Sequence, residues 1–183
     1  MNSHQKQTWL KVSIVAFSLF FGFDAKASVG YAFAASSSTA TVLANSTVHF
    51  NLSSSPHNAD ITPPVAGGDT FTVNATGTYL IIFQVRGTPA NLTPPDPLVF
   101  NVTADGLAIP ASRFQSDIQT TSLAAGGTLT LNGQVVVNLN SGAHIRLHND
   151  TKHAGTAANV TLTSAPTGGP ATDNASLLIL RIK

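Results

Sequence analysis

The chain has 183 residues, nine Lys or Arg, eight Asp or Glu and no cysteine. The missing cysteine excludes a disulfide framework, a thiolate metal site and a thiol nucleophile, and a formal net charge of +1 gives no electrostatic reason to expect nucleic acid or an anionic membrane as partner. Glutamate is absent while Ser, Thr, Asn, Val and Gly are plentiful, so strand and turn formers replace the long-chain helix formers and the fold class expected is all-β.

The first element in chain order is a leader. Lys6 and Lys11 give a basic start, Val12 to Phe23 are apolar and uncharged, and Ala25-Lys26-Ala27 offers a small-x-small cleavage pattern. Residues 1–27 are therefore expected to be a signal peptide and 28–183 a single secreted domain, with no membrane span left after removal. The leader holds three of the nine basic side chains and one of the eight acidic ones, so the mature chain balances six against seven. Apart from this segment no significant helix is expected.

The strands follow. Tyr31-Ala32-Phe33-Ala34-Ala35 alternates aromatic and small residues and reads as an opening strand, Val42-Leu43 and Thr47–Leu52 carry short strand signals, and Ser53–Asp60 is a polar loop. Thr70–Val73 alternates strictly and Asn74–Gly77 turns into Gly77–Val85. A Pro-rich loop over Gly87–Pro97 precedes a strand at Leu98–Thr103, an Asp105-Gly106 hairpin signal and a brief edge at Leu107–Pro110. Leu129 and Leu131 alternate with threonines, Asn132-Gly133 reads as a turn, and Gln134–Leu139 as a strand. Asn140-Ser141-Gly142 is a tight turn before a half-buried strand at Ala143–Asn149, Ala158–Thr163 is the penultimate strand, Ala165–Asn174 a Gly/Pro loop, and Ala175–Ile182 closes the chain. Eight to ten short strands with uneven loops are the pattern of a sandwich or jelly roll.

Two of these strands are apolar on both faces. Side chains alternate across a strand, so Tyr79, Ile81, Phe83 and Val85 face one way and Leu80 and Ile82 the other. Leu177-Leu178-Ile179-Leu180-Arg181-Ile182 behaves alike. An antiparallel sandwich standing alone should keep one face of such a strand wet, so the second apolar face is expected to meet another copy of the chain. Tyr31, Phe33, Tyr79, Leu80, Ile81, Ile82, Phe83, Leu178, Ile179, Leu180 and Ile182 are the residues expected to carry core and assembly. Arg181 needs a carboxylate or carbonyl partner if that strand faces a subunit axis; snorkelling at the strand end is the favoured expectation.

Three pieces in this order, Tyr31-Ala32-Phe33, Gly77-Thr78-Tyr79-Leu80-Ile81-Ile82-Phe83 and Gly133–Leu147, with the terminal strand Leu177–Ile182, resemble the tumour necrosis factor and complement globular-head superfamily. Within it the likeness is to the C-terminal domain of BclA-type spore-surface glycoproteins and to exosporium basal-layer proteins. The resemblance covers nearly all of 31–183. It implies a jelly roll of about ten strands, a tight homotrimer, and a structural or adhesive role on a cell or spore surface without catalysis. The chain departs from the spore proteins in lacking a collagen-like stalk and their N-terminal targeting sequence, and in carrying a secretory leader, so general secretion or a cell surface is an equal expectation.

No reaction chemistry stands out. His144, Arg146 and His148 share one face of a strand, and a pH-sensitive or metal-binding patch is weighed there against the polar face of a half-buried strand; residues i and i+4 stand about 13 Å apart along a strand, too far for two histidines of one chain to share a metal. No Gly-x-Ser-x-Gly elbow and no Asp-rich calcium loop occurs. No cofactor or metal is expected. Eight Asn-x-Ser/Thr triplets, at Asn45, Asn51, Asn74, Asn91, Asn101, Asn149, Asn159 and Asn174, are read as abundance of these residues rather than glycan acceptors. The alternative function is a carbohydrate- or receptor-binding module using loops 53–69, 87–97 and 165–174, with surface glycans or surface-layer proteins as partners.

Overall fold

The computed structural model describes residues 30–53, 59–92, 95–117, 127–163 and 173–183. The expected leader, 1–27, and parts of the three loops just named lie outside the described residues. The described residues contain fifteen strands and no helix: β1 (Tyr31–Ser36), β2 (Ala40–Val42), β3 (Leu52–Ser53), β4 (Ile61–Thr62), β5 (Phe71–Val73), β6 (Gly77–Pro89), β7 (Val99–Ala104), β8 (Leu107–Ala108), β9 (Phe114–Gln115), β10 (Leu129–Leu139), β11 (His144–Asn149), β12 (Lys152–His153), β13 (Thr156–Ala157), β14 (Val160–Leu162) and β15 (Ala175–Arg181). Six of them are two-residue pieces and nine are longer, which is why the pattern count of eight to ten strands and the finer count differ.

Two antiparallel sheets form a jelly-roll sandwich. Sheet A runs β2-β14-β6-β15-β1-β3, with β10 paired to the other edge of β6; sheet B runs β4-β5-β11-β7-β8, with β9 also on β7. β6 organises sheet A. One of its edges pairs with β10 from Gly77 to Gly87, and the other pairs with β15 from Tyr79 to Val85 and then with β14 from Gly87 to Pro89. The core lies between the sheets. Tyr79, Ile81, Phe83 and Val85 of β6, Leu177 and Ile179 of β15, and Phe71, Phe100, Val102, Ile145 and Leu147 of sheet B are all buried there. Each large side chain removed from water contributes about 1.5–3 kcal/mol, and Phe50 meets Phe71 edge to face at 5.9 Å.

The expected turn at Asn132-Gly133 does not form, because β10 runs straight through it. Gly133 is needed there for space. It lies opposite Phe83 in the register, and a Cβ at this position would come within 2.3 Å of the Phe83 ring and 2.8 Å of Phe114. The two rings pack edge to face at 5.6 Å over the bare backbone. The Pro-rich loop starts later than expected, because β6 continues to Pro89, its last residue. The run Thr47–Leu52 is not one strand: Thr47 bridges His148, Phe50 bridges Gly68, and only Leu52 and Ser53 form a regular strand. Asp105 and Gly106, at φ 51° and 80°, make the expected hairpin between β7 and β8.

Candidate functional site

The register places the outward side chains of sheet A in rows. Tyr31 lies opposite Leu180, Leu180 opposite Leu80, and Leu80 opposite Val136; one step along, Phe33, Leu178, Ile82 and Gln134 make the second row. Seven of these eight residues are apolar and none is charged. Tyr31, Phe33, Leu80, Leu178 and Leu180 are half-buried, Ile82 is 39% exposed and Val136 59% exposed. Ile182, half-buried beside them, donates its N–H to Thr78 O at 2.8 Å. Of the residues expected to carry core and assembly, Tyr79, Ile81, Phe83 and Ile179 therefore face the core, and Tyr31, Phe33, Leu80, Ile82, Leu178 and Leu180 form the outer face. Val136 was not singled out from the sequence. Its signal was present in Val135-Val136-Val137, a run apolar on both faces like Leu80–Ile82.

Further along the same face the rows turn polar, with Gln84 opposite Ser176 and Asn132, and then Arg86 opposite Thr130. Arg86 is half-buried and donates from Nε to Thr128 Oγ1 at 3.2 Å.

The outer face of sheet B has another chemistry. His144 lies opposite Thr72, Arg146 opposite Thr103, and His148 opposite Asn101. His144, Arg146 and His148 do share this face, but each has separate surroundings. His144 N–H donates to Asp105 Oδ1 at 2.9 Å, with Nδ1 3.8 Å from the same oxygen. Arg146 donates from Nε to Thr70 Oγ1 at 2.8 Å and stands 3.6 Å from Asp69. The His148 Nδ1 and Asn101 Oδ1 atoms are buried without hydrogen-bond partners. Among the described residues no three His, Asp, Glu or Cys side chains cluster as metal ligands do.

Asp69 joins this face together. Burial alone would raise its pKa, but the hydroxyls of Thr47 and Thr70, 2.5 and 2.6 Å away, with the charges of Arg146 and His49, outweigh that cost and hold the carboxyl below its ordinary value.

At one end of the sandwich Arg181 does more than snorkel. It crosses between sheets, with Nη1 3.1 Å from Asp60 Oδ2 and Nη2 donating to Thr76 O at 2.9 Å. The Tyr79 hydroxyl donates to Ala75 O nearby. Burial pushes its pKa up, partly countered by Arg181. Of the Asn-x-Ser/Thr triplets, Asn101, Asn149 and Asn174 are buried, and the Asn149 and Asn174 amides donate to backbone carbonyls, so these two serve the fold.

No protein-family model matches the chain, and no curated protein matches it. Solved structures do. The globular domain of zebrafish complement 1qA protein superposes with a TM-score of 0.55 at 16% identity, over 84% of this chain and 97% of that one. Murine APRIL, in its pH 8.5 structure, gives 0.54 at 15% identity over 84% and 99%. Eiger TNF from S. frugiperda gives 0.50 at 10% identity over 85% and 92%. At these identities the likeness establishes the fold, a jelly roll of the tumour necrosis factor and complement globular-domain kind.

Proposed function

We propose that this chain is a secreted, non-enzymatic homotrimer, and that it acts as a structural or adhesive component of a cell or spore surface, as the BclA-like and exosporium basal-layer resemblance implies. The mature subunit would be a single domain over 28–183, released by cleavage after Ala27. The observation that carries the reading is the pair of apolar rows on the outer face of sheet A. A sheet facing water on that side would carry polar residues there, and a contiguous exposed apolar patch marks an interaction surface. Covering Ile82 and Val136 contributes about 1 kcal/mol for each half-exposed side chain in every copy. The likeness to tumour necrosis factor and complement domains supports three copies.

Light scattering on the purified protein tests the assembly. A mass of three chains at micromolar concentration is expected. A monodisperse monomer there would overturn the trimer and, with it, the reading of the apolar rows as a subunit interface. Imaging of the protein on intact cells or spores tests the location, and a purely soluble protein would count against a surface role.

A further inference from the structure

Most aspartates and arginines of the described residues pair within one chain, while Lys152 and Lys183 make no ion pair there. Asp60 meets Arg181, Asp69 meets Arg146, Asp150 meets Arg113 at 2.5 Å, Asp96 meets His153 at 3.1 Å, and Asp105 stands 3.8 Å from His144. Among the described residues Arg86 is the one arginine with no carboxylate within ion-pair distance, and Asp117 and Asp173 are the two aspartates with no basic partner. Arg86 stands on the outer face of sheet A, in the polar continuation of the apolar rows. Its Nη groups have no partner among the described residues, and its one side-chain hydrogen bond, to Thr128, ties it toward the β10 side of the sheet.

Asp173 lies on the other side. It directly precedes Asn174, whose carbonyl accepts the Arg86 N–H at 2.7 Å, so Asp173 and Arg86 stand at nearly the same height along the strands. Asp173 is exposed, and it begins the β15 side while Arg86 leans toward β10. In a cyclic assembly whose axis runs along the strands, side chains of equal height meet across each contact, and the contact is head to tail. A neighbour that covers the apolar rows must also cover or flank Arg86. A guanidinium taken from water without a counter-charge is costly, so the neighbour must bring an acceptor.

We propose that the outer face of sheet A docks a second copy of this chain head to tail, with Arg86 of one copy paired to Asp173 of the next. The inference rests on the assembly reading given above and adds the contact that sets its register and direction. An ion pair at the polar end of an otherwise uncharged face specifies how the copies align, because apolar rows alone slide with little penalty.

Charge reversal tests it. Arg86→Asp and Asp173→Arg are each expected to raise the concentration at which the assembly dissociates by about tenfold or more, and the double variant, which restores opposite charges, should recover most of that loss. Circular dichroism checks that each variant folds, and Arg86→Gln gives a milder second probe, with a smaller loss that adding salt to the wild type should reproduce. The pairing is overturned if Arg86→Asp assembles like the wild type, if the double variant is no better than the single ones, or if rescue comes from Asp117→Arg instead. Any of these with a trimeric wild type sinks the ion pair alone. A monomeric wild type sinks the assembly beneath it.

Discussion

The two outward faces of the sandwich are built from the same strand periodicity and carry opposite chemistry. On sheet A the row Tyr31, Leu180, Leu80 and Val136 holds no polar side chain but the tyrosine hydroxyl. On sheet B the equivalent row crosses Thr103 and Arg146, with Thr70 hydrogen-bonded to the arginine. Both faces are outside the core, so the hydrophobic effect within one subunit cannot distinguish them. Sheet B spends its face on hydrogen bonds that hold the sandwich together, Thr47 to Asp69 and Arg146 to Thr70 among them. Sheet A turns apolar side chains outward instead, and among the described residues Ile82 stays 39% and Val136 59% exposed. On the assembly proposed above, that difference would separate a face that serves folding from one that serves association.

The sharpest way to break the comparison uses neighbouring residues of β6. Ile81 is fully buried and Ile82 is 39% exposed. Ile81→Asp places an unpaired charge in the core and should abolish folding, since the penalty of about 4 kcal/mol or more rivals the stability of a typical domain. Ile82→Asp should leave the β-sheet circular dichroism intact and reduce the mass to that of one chain. A trimeric Ile82→Asp variant would show that the outer face is not the interface. On the other face, His144→Gln should change neither mass nor stability by more than about 0.5 kcal/mol.

A smaller effect is expected where β10 passes under the Phe83 ring. Gly133→Ala drives a methyl to within 2.3 Å of that ring, which must move against Phe114. Overpacking of this kind costs about 1–3 kcal/mol, read as a lower urea midpoint with an unchanged slope. Because the flanking Gln134, and Val136 beyond it, lie on the outer face, a displaced β10 should also weaken assembly. Lost stability with assembly unchanged would mean that the two faces of β10 are independent.

Much of this was legible in the sequence because strand alternation is local. The assignment of Tyr79, Ile81 and Phe83 to one face and Leu80 and Ile82 to the other needs nothing but the period of two, and the first set is buried in the core. Pairing is not local. Asn132-Gly133 looks like a turn by its residue types, and only Phe83, fifty residues earlier and directly opposite Gly133, explains a glycine inside a strand. Arg181 looked like a strand-end snorkel because its partner Asp60 comes from a distant segment, just before β4. The short strands β4, β9, β12 and β13 went unread for a related reason, since two residues carry no period. Asp69 could not be separated from the other turn aspartates, because its partners Thr47 and Arg146 come from distant segments.

The weakest expected effect concerns that aspartate and closes the account of sheet B. The Asp69 carboxyl is held below its ordinary value in the folded chain, so the folded state favours the charged form more than the unfolded state does. Such a group contributes its stability above the unfolded pKa of about 3.9 and loses it as the pH falls through the lower folded value. Asp69 is half-buried, but its partner Arg146 is 37% exposed and their pairing is screened, so the contribution should be about 0.2–1 kcal/mol. Asp69→Asn should therefore be slightly less stable than the wild type in urea at pH 7, and the gap should narrow as the pH falls through the lowered folded value of Asp69, where its carboxyl becomes neutral like the amide. A gap that persists at low pH would mean that the hydroxyls of Thr47 and Thr70 serve the amide as poorly as the charge's removal does. The polar face would then be held by hydrogen-bond geometry and not by charge.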